Sequence, residues 1–538
     1  MVIDPQTLAQ QTIQRVADGF YSGFNRPVAL GAMTVVGALI IWILVLPENA
    51  TAILSWGKDA TLLVFRAWYV YALAALVAFC LFIVCLPVSG RLRLGPDDEE
   101  PEYSTFSWLS MMFCAGIGAG VLIYAVAEPL AHFQANPDIL SNAIEAQNND
   151  AAVRALSFTY LHWGLSAWSC YAVLALAIAL YSHRYGMPLT IRTALAPVLG
   201  RHYDGWVGNL IDIFSIVAII TGVATTLGYG VAQLVSGLSD VTGAEIFTYA
   251  DGEPTTAWQL AALVVSAVVA TGSVVSGVAR GIKWLSNFSI ALFFAVMVAF
   301  AAFGDATMAG SRYGLALWTY VSDFPVNATR VASAHTPVAE WQTGWTIFYW
   351  AWWIAFAPFV SMFLARVSKG RSLRAFIVGC LFMPVIVCTV WFAFVGGAAL
   401  EWQLGSSDIN DLAAYPISAQ IYETFRVTAG VEIASFGNIF VALLMLMLLI
   451  TTLNAAILAI NTIAAGGDEG HHIGSHISIW GAAVTMIIGG LILAGGTQSI
   501  RDAMIIGALP FSFVIALSII SVCLSLFYER RKDGISNN

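Results

Sequence analysis

Charge is what this sequence has least of. Only 23 Lys and Arg and 32 Asp and Glu stand among 538 residues, 10% of the chain, against 59% hydrophobic residues and a mean hydropathy of +0.79. A soluble globular domain carries charge on roughly a quarter of its residues, so that class is excluded and many membrane spans are required. The seven cysteines (Cys80, Cys85, Cys114, Cys170, Cys380, Cys388 and Cys523) all fall in apolar segments with no paired spacing in a loop. This excludes a disulfide framework and a zinc site. The N-terminal stretch MVIDPQTLAQQTIQRVADGF lacks the basic start and apolar core of a cleavable signal peptide. A membrane enzyme would need a cluster of acids, histidines or a nucleophile. His471, His472, Asp468 and Glu469 lie in a glycine-rich loop, and His162 and Asp212 stand alone, so no enzyme is expected.

What is present is length of apolar chain. Segments of spanning length are read at 28–46, 67–89, 105–127, 155–181, 207–235, 257–278, 285–303, 343–365, 374–397, 436–464, 475–495 and 502–528. With the N-terminus inside, 16 of the 23 basic residues fall on the inner side and 7 on the outer side, which places both termini in the cytoplasm. The chain then divides into a cytoplasmic segment 1–27, two peripheral helices 28–104, helices 105–303, an outer loop 304–342 with an amphipathic helix, helices 343–528 and a short tail 529–538. Tyr313 to Trp318 and Tyr415 to Phe425 read as short helices lying across the outer face. The basic loop 366–374 suits anionic headgroups.

Three stretches exceed what lipid requires. Five aromatics lie between Trp345 and Trp353, in a segment that also holds Pro358. At about 100° per residue, Trp345, Tyr349, Trp353 and Phe356 form one stripe, and Trp352, Phe356, Phe359 and Phe363 a neighbouring one. An interfacial belt is the plain alternative, but a belt sits at a segment's ends, whereas this cluster runs towards the middle and meets a proline, where an irregular binding helix is expected. In the third segment, Gly116, Gly118 and Gly120 alternate. Each weakens a helix by about 1 kcal/mol relative to alanine, so the segment can unwind and turn its carbonyls towards a cation, or Gly116 and Gly120 can serve close helix packing. In the fourth segment, Trp163, Trp168 and Tyr171 fall at roughly 0°, 140° and 80° and share a face. In the tenth, Thr451 and Thr452 either back-bond to their own helix or coordinate a small cation.

The runs GWTIFYWAWWIAFAPF, RLRLGPDDEEPEYSTFSW, GIGAG, AEPL and HWGLSAWSCY resemble those of the betaine/choline/carnitine transporter family over nearly the whole chain. The resemblance implies an all-α polytopic membrane protein of twelve transmembrane helices. Two inverted five-helix repeats of the LeuT type would follow two extra helices, assembled as a homotrimer in the lipid of the bacterial cytoplasmic membrane. By position it implies an aromatic box of Trp163, Trp168, Tyr171 and Trp353, with Trp352 and Phe356 along the path and the three glycines beside it. It implies one sodium site on the carbonyls of Cys114 and Ile117 and the hydroxyls of Thr451 and Thr452. Ile219 and Val223 stand where a second sodium site would need hydroxyls. Gly120 stands where choline-type members often carry aspartate, so a zwitterion is expected. Ala355 and Phe356, where relatives often have serine and tryptophan, admit a sulfonium zwitterion such as dimethylsulfoniopropionate. A proton-coupled or exchanging carrier of choline or carnitine is the alternative. A channel is disfavoured, because filters are rings made by symmetry around a pore and the unusual segments here lie within one chain. Apart from sodium as coupling ion, no cofactor is expected, and no nucleic-acid partner.

Overall fold

The computed structural model describes residues 12–116, 118–276, 279–405, 411–468, 470 and 473–536. Its long elements are α1 (Arg26–Val45), α2 (Pro47–Cys85), α3 (Thr105–Gly116), α4 (Gly120–Gln134), α5 (Asn149–Trp163), α6 (Leu165–Ala179), α7 (Trp206–Thr242), α8 (Thr256–Val275), α9 (Ala279–Phe303), α10 (Ala306–Thr329), α11 (Phe348–Arg366), α12 (Leu373–Trp391), α13 (Gln420–Ala429), α14 (Val431–Ala464) and α15 (Gly474–Ser536). Local chemistry sets many of the starts. The side chains of Asn25, Asn148, Asp305 and Ser372 each accept a backbone N–H from the first turn of the helix that follows.

Among the described residues, ten helices are long and apolar enough to cross a membrane. The apolar pattern predicts twelve segments, and the difference has two local sources. The last two segments form one 63-residue run, kinked where Gly495 is extended and Gly496 takes φ 62°, a conformation that favours glycine. The third segment is divided into α3 and α4, of 12 and 15 residues, neither of which reaches spanning length alone. The interruption falls within the alternating glycines, as their low helix propensity predicts. The fourth segment is continuous by its apolar pattern. It turns at Gly164, where an added Cβ would lie 2.4 Å from the Tyr160 carbonyl and 2.5 Å from the Tyr320 hydroxyl. That hydroxyl instead accepts the freed Leu165 N–H at 2.9 Å. In the eighth segment the irregularity is a π-helical turn at Thr343–Ile347, and α11 continues as helix through Pro358. Dense packing on all sides holds that helix despite the missing N–H.

Burial separates the centre of the bundle from its rim. In the most apolar stretch of α5–α6, and likewise of the π turn with α11, 94% of residues are buried, against 33% for α1 and 28% for α8 and for α9. The rim helices present Ile41, Val45, Val265, Val268 and Val298 outward, the surface expected against lipid. Two loops join the third and eighth segments at one end. Leu94 N–H donates to Arg371 O at 2.8 Å, Gly370 N–H to Leu94 O at 2.8 Å and Leu373 N–H to Leu92 O at 3.0 Å. Trp108 Nε1 donates to Ser368 Oγ at 2.9 Å, and the Arg371 guanidinium lies over the Trp108 ring. Gly370 has φ +80°, and a Cβ there would meet Glu100 O at 2.3 Å. The basic loop is therefore a structural clasp, whatever it also does at a membrane surface.

Candidate functional site

The two most buried segments meet face to face, and their aromatics form one continuous cluster. Trp163 at the end of α5 lies 5.0 Å from Trp353 of α11, edge to face; Trp353 lies 6.4 Å from Tyr171 of α6, and Tyr171 lies 5.7 Å from Trp168. All four rings are buried. The break at Gly164 puts Trp163 and Trp168 on two separate helices: Trp163 meets Trp353 directly, and Trp168 joins the cluster through Tyr171, which a single helical face does not foresee. Both stripes of α11 exist: Trp345, Tyr349 and Trp353 stack in succession, while Trp352, Phe356 and Phe359 follow one another along the neighbouring side. The rings pack against one another.

The indole nitrogens fix the rings. Trp353 Nε1 donates to His162 O at 2.9 Å and Trp352 Nε1 to Thr226 Oγ1 at 3.2 Å. Ser361 Oγ donates to Tyr171 O at 3.0 Å, tying α11 to α6 from the other side. The Tyr171 hydroxyl itself is buried without a hydrogen-bond partner among the described residues. Gly120 sits against the cluster; a Cβ there would lie 2.7 Å from the Trp352 ring and 3.3 Å from that of Trp163. A Cβ on Gly118 would lie 3.7 Å from Phe356 and 3.8 Å from Thr452 Oγ1. The second glycine of the run is thus the point where the broken third segment, α11 and α14 converge. Gly116 closes α3.

The threonines of α14 differ. Thr451 Oγ1 donates to Met447 O at 2.9 Å and Leu448 O at 3.1 Å, the local bond that hydroxyls in helices commonly make, whereas Thr452 faces the Gly118 region. Of the two carbonyls expected at the sodium site, that of Cys114 belongs to the helical backbone near the end of α3, and Ile117 lies outside the described residues. Ile219 and Val223 are fully buried in α7. His471, His472 and Glu469 also lie outside the described residues.

His162 and Asp212, isolated in the sequence, have partners in the fold. Asp212 and Arg192 form a fully buried ion pair, Nε to Oδ2 2.6 Å, with Arg192 also donating to Asn209 Oδ1 at 2.9 Å. His162 belongs to a cluster around Glu128, a fully buried residue of α4. Glu128 Oε1 meets His162 Nδ1 at 2.6 Å and His132 Nε2 at 3.2 Å. Its Oε2 accepts from Trp163 Nε1 at 2.7 Å and from the Tyr349 hydroxyl. The signal for it was present in the sequence: a carboxylate inside an apolar run, with a histidine four residues on, marks a functional position by default.

Residues 27–531 match the sequence profile of the BCCT family, described as the betaine/carnitine/choline family transporter. The chain belongs to this family of membrane transporters. It is 34% identical to an uncharacterized transporter of Mycobacterium tuberculosis over 86% of this chain and 76% of the relative. It is 31% identical to a glycine betaine transporter of Bacillus subtilis over 93% of this chain and 94% of the relative. It is 33% identical to the high-affinity choline transport protein of Escherichia coli over 87% of this chain and 67% of the relative.

Proposed function

We propose that this chain imports a zwitterionic quaternary ammonium or sulfonium compound, such as glycine betaine or dimethylsulfoniopropionate, by sodium symport. The observation that carries the reading is the convergence of Trp163, Trp168, Tyr171 and Trp353 into one buried set of rings. A trimethylammonium group has no N–H to donate, so only π faces and dispersion can hold it, at up to about 2 kcal/mol per desolvated ring. Three or four rings give at most ~6–8 kcal/mol before ordering costs, which is an affinity in the micromolar to millimolar range that a carrier can release. The unpartnered Tyr171 hydroxyl offers a donor to the polar end of a zwitterion. Relatives named for glycine betaine and for choline support the onium class.

The same reading takes α3 with α4 as one crossing and α15 as two, giving twelve crossings in two inverted five-helix repeats after two peripheral helices. It includes a homotrimer in the bacterial cytoplasmic membrane with both termini inside, which the 16-to-7 division of basic residues supports.

Trp353→Leu keeps apolar bulk and removes the π face. The expected result is a five- to thirtyfold weaker substrate affinity, about 1–2 kcal/mol, measured as inhibition of labelled glycine betaine uptake in proteoliposomes. Unchanged affinity in folded protein would sink the box. Counterflow of labelled substrate tests the carrier mechanism, since only a carrier exchanges across a closed barrier.

Gly120 supplies a second expectation, that wild-type protein prefers zwitterions to choline. Because any side chain at this position presses on Trp352, Gly120→Ala is expected to weaken both ligands alike. Gly120→Asp adds a carboxylate to the same crowding and is expected to shift the ratio of affinities towards choline. An identical ratio in the two variants would mean that charge at this position does not select the substrate.

A further inference from the structure

Glu128 has no Lys or Arg within ion-pair reach among the described residues, yet four polar groups face its two oxygens. Trp341 Nε1 approaches His132 Nδ1 at 3.3 Å and can only donate, so His132 carries its own proton on Nε2, facing Glu128. His162 Nδ1 faces Glu128 while its Nε2 meets Thr346 Oγ1 at 3.0 Å, a hydroxyl able to donate to it. Trp163 and Tyr349 complete the set. Both nitrogens of each histidine are thereby engaged, and with Glu128 ionised all four groups can donate to it, a carboxylate solvated by neutral donors. Tyr349 stacks on Trp353, and Trp163 packs against it, so two of the four donors touch box rings or are one.

We infer that Glu128 is the electrostatic counter-charge of the aromatic box, a positioning and specificity-determining residue that favours cationic headgroups through Trp163. The inference rests on the onium-binding reading above. Two effects act in the same direction. A charge-assisted N–H bond pushes electron density back into the indole, strengthening the face that a cation meets. The carboxylate also sits one ring away from that cation in a water-poor interior, where a unit charge is screened far less than in solution. Buried without a basic partner, the charge is completed only when an onium group arrives.

The test compares a cation with its uncharged isostere. Choline and 3,3-dimethylbutan-1-ol have the same shape and differ in one atom and one charge, and both can be scored as inhibitors of labelled glycine betaine binding to the purified full-length protein. Glu128→Gln is expected to weaken choline and glycine betaine about tenfold and the isostere less than about threefold. Tyr349→Phe removes one donor and keeps the charge, and is expected to leave the choline-to-isostere ratio near that of the wild type. Equal losses for charged and uncharged ligands in Glu128→Gln, or the same change of ratio in Tyr349→Phe, would reduce Glu128 to a scaffold and overturn the inference. If Glu128→Gln does not fold, Glu128→Asp carries the test, because it withdraws the charge by one methylene; an unchanged ratio there overturns the inference too. Failure of the underlying reading looks different: Trp353→Leu would then leave glycine betaine binding intact, or wild-type protein would bind no onium compound at all.

Discussion

In proteoliposomes bathed in potassium salts, uptake of labelled glycine betaine is expected to fall to background, and external sodium is expected to restore it with a Hill coefficient near one. The expectation rests on oxygen chemistry at the meeting of α14 with the broken third segment. Thr452 Oγ1 lies beside the Gly118 position, and Thr451 spends its proton on the carbonyls of Met447 and Leu448. A hydroxyl that donates to its own helix still has a lone pair to offer a cation, so the local bond and a ligand role are compatible. Hard oxygens from two hydroxyls, with carbonyls freed where the helix is interrupted, suit sodium. Replacing both threonines by alanine is expected to raise the sodium concentration for half-maximal uptake about tenfold or more, roughly the effect of losing 1.4 kcal/mol of ion binding. Alanine at Ile219 or Val223 removes no oxygen and is expected to leave the sodium dependence alone. Uptake driven by a proton gradient in the absence of sodium would defeat the proposal. A Hill coefficient near two would demonstrate a second ion on other ligands.

The largest loss of stability is expected from Asp212→Ala. Arg192 and Asp212 are both fully buried, and the guanidinium makes its shortest bond to this carboxylate. Removing the acid leaves an uncompensated charge in a site that water does not reach, at a cost of about 3–5 kcal/mol. The unfolding midpoint in mild detergent should drop accordingly, by more than for Arg15→Ala, whose partner Asp468 and whose own side chain are over a third exposed. Arg192→Met combined with Asp212→Leu removes both charges and is expected to recover most of the loss. A single variant as stable as the wild type would show that the pair contributes nothing net.

The sequence made the helical class and the aromatic side of the site legible because both depend on near-neighbour pattern. Apolar runs report membrane spans, and the spacing of Trp345, Tyr349, Trp353 and Phe356 reports a stripe, since helical geometry is local. The alternating glycines likewise marked the interruption between Gly116 and Gly120. What could not be read were effects settled by partners far along the chain. The turn at Gly164 depends on Tyr320, more than a hundred residues away, whose hydroxyl takes up the freed N–H. Pro358 pointed to a break that packing suppressed, while the π turn ahead of α11 has no proline to announce it. Glu128 stands as an anomaly in an apolar run with His132 at the i,i+4 spacing, but its other three partners come from two other helices that no spacing rule connects to it. His162 and Asp212 were misjudged for the same reason: their partners lie elsewhere in sequence.

The clasp between loops 91–99 and 367–373 has a mechanical meaning. It binds the root of α3 to the foot of α11 through backbone bonds and the Trp108 to Ser368 bond. Away from that knot each arm departs from regular α-helix once, within the alternating glycines in one and at the π turn before Phe348 in the other. Parting the two arms at this end would break three backbone hydrogen bonds and the Trp108 to Ser368 bond together, so the knot ties the start of the glycine arm to the end of the aromatic one.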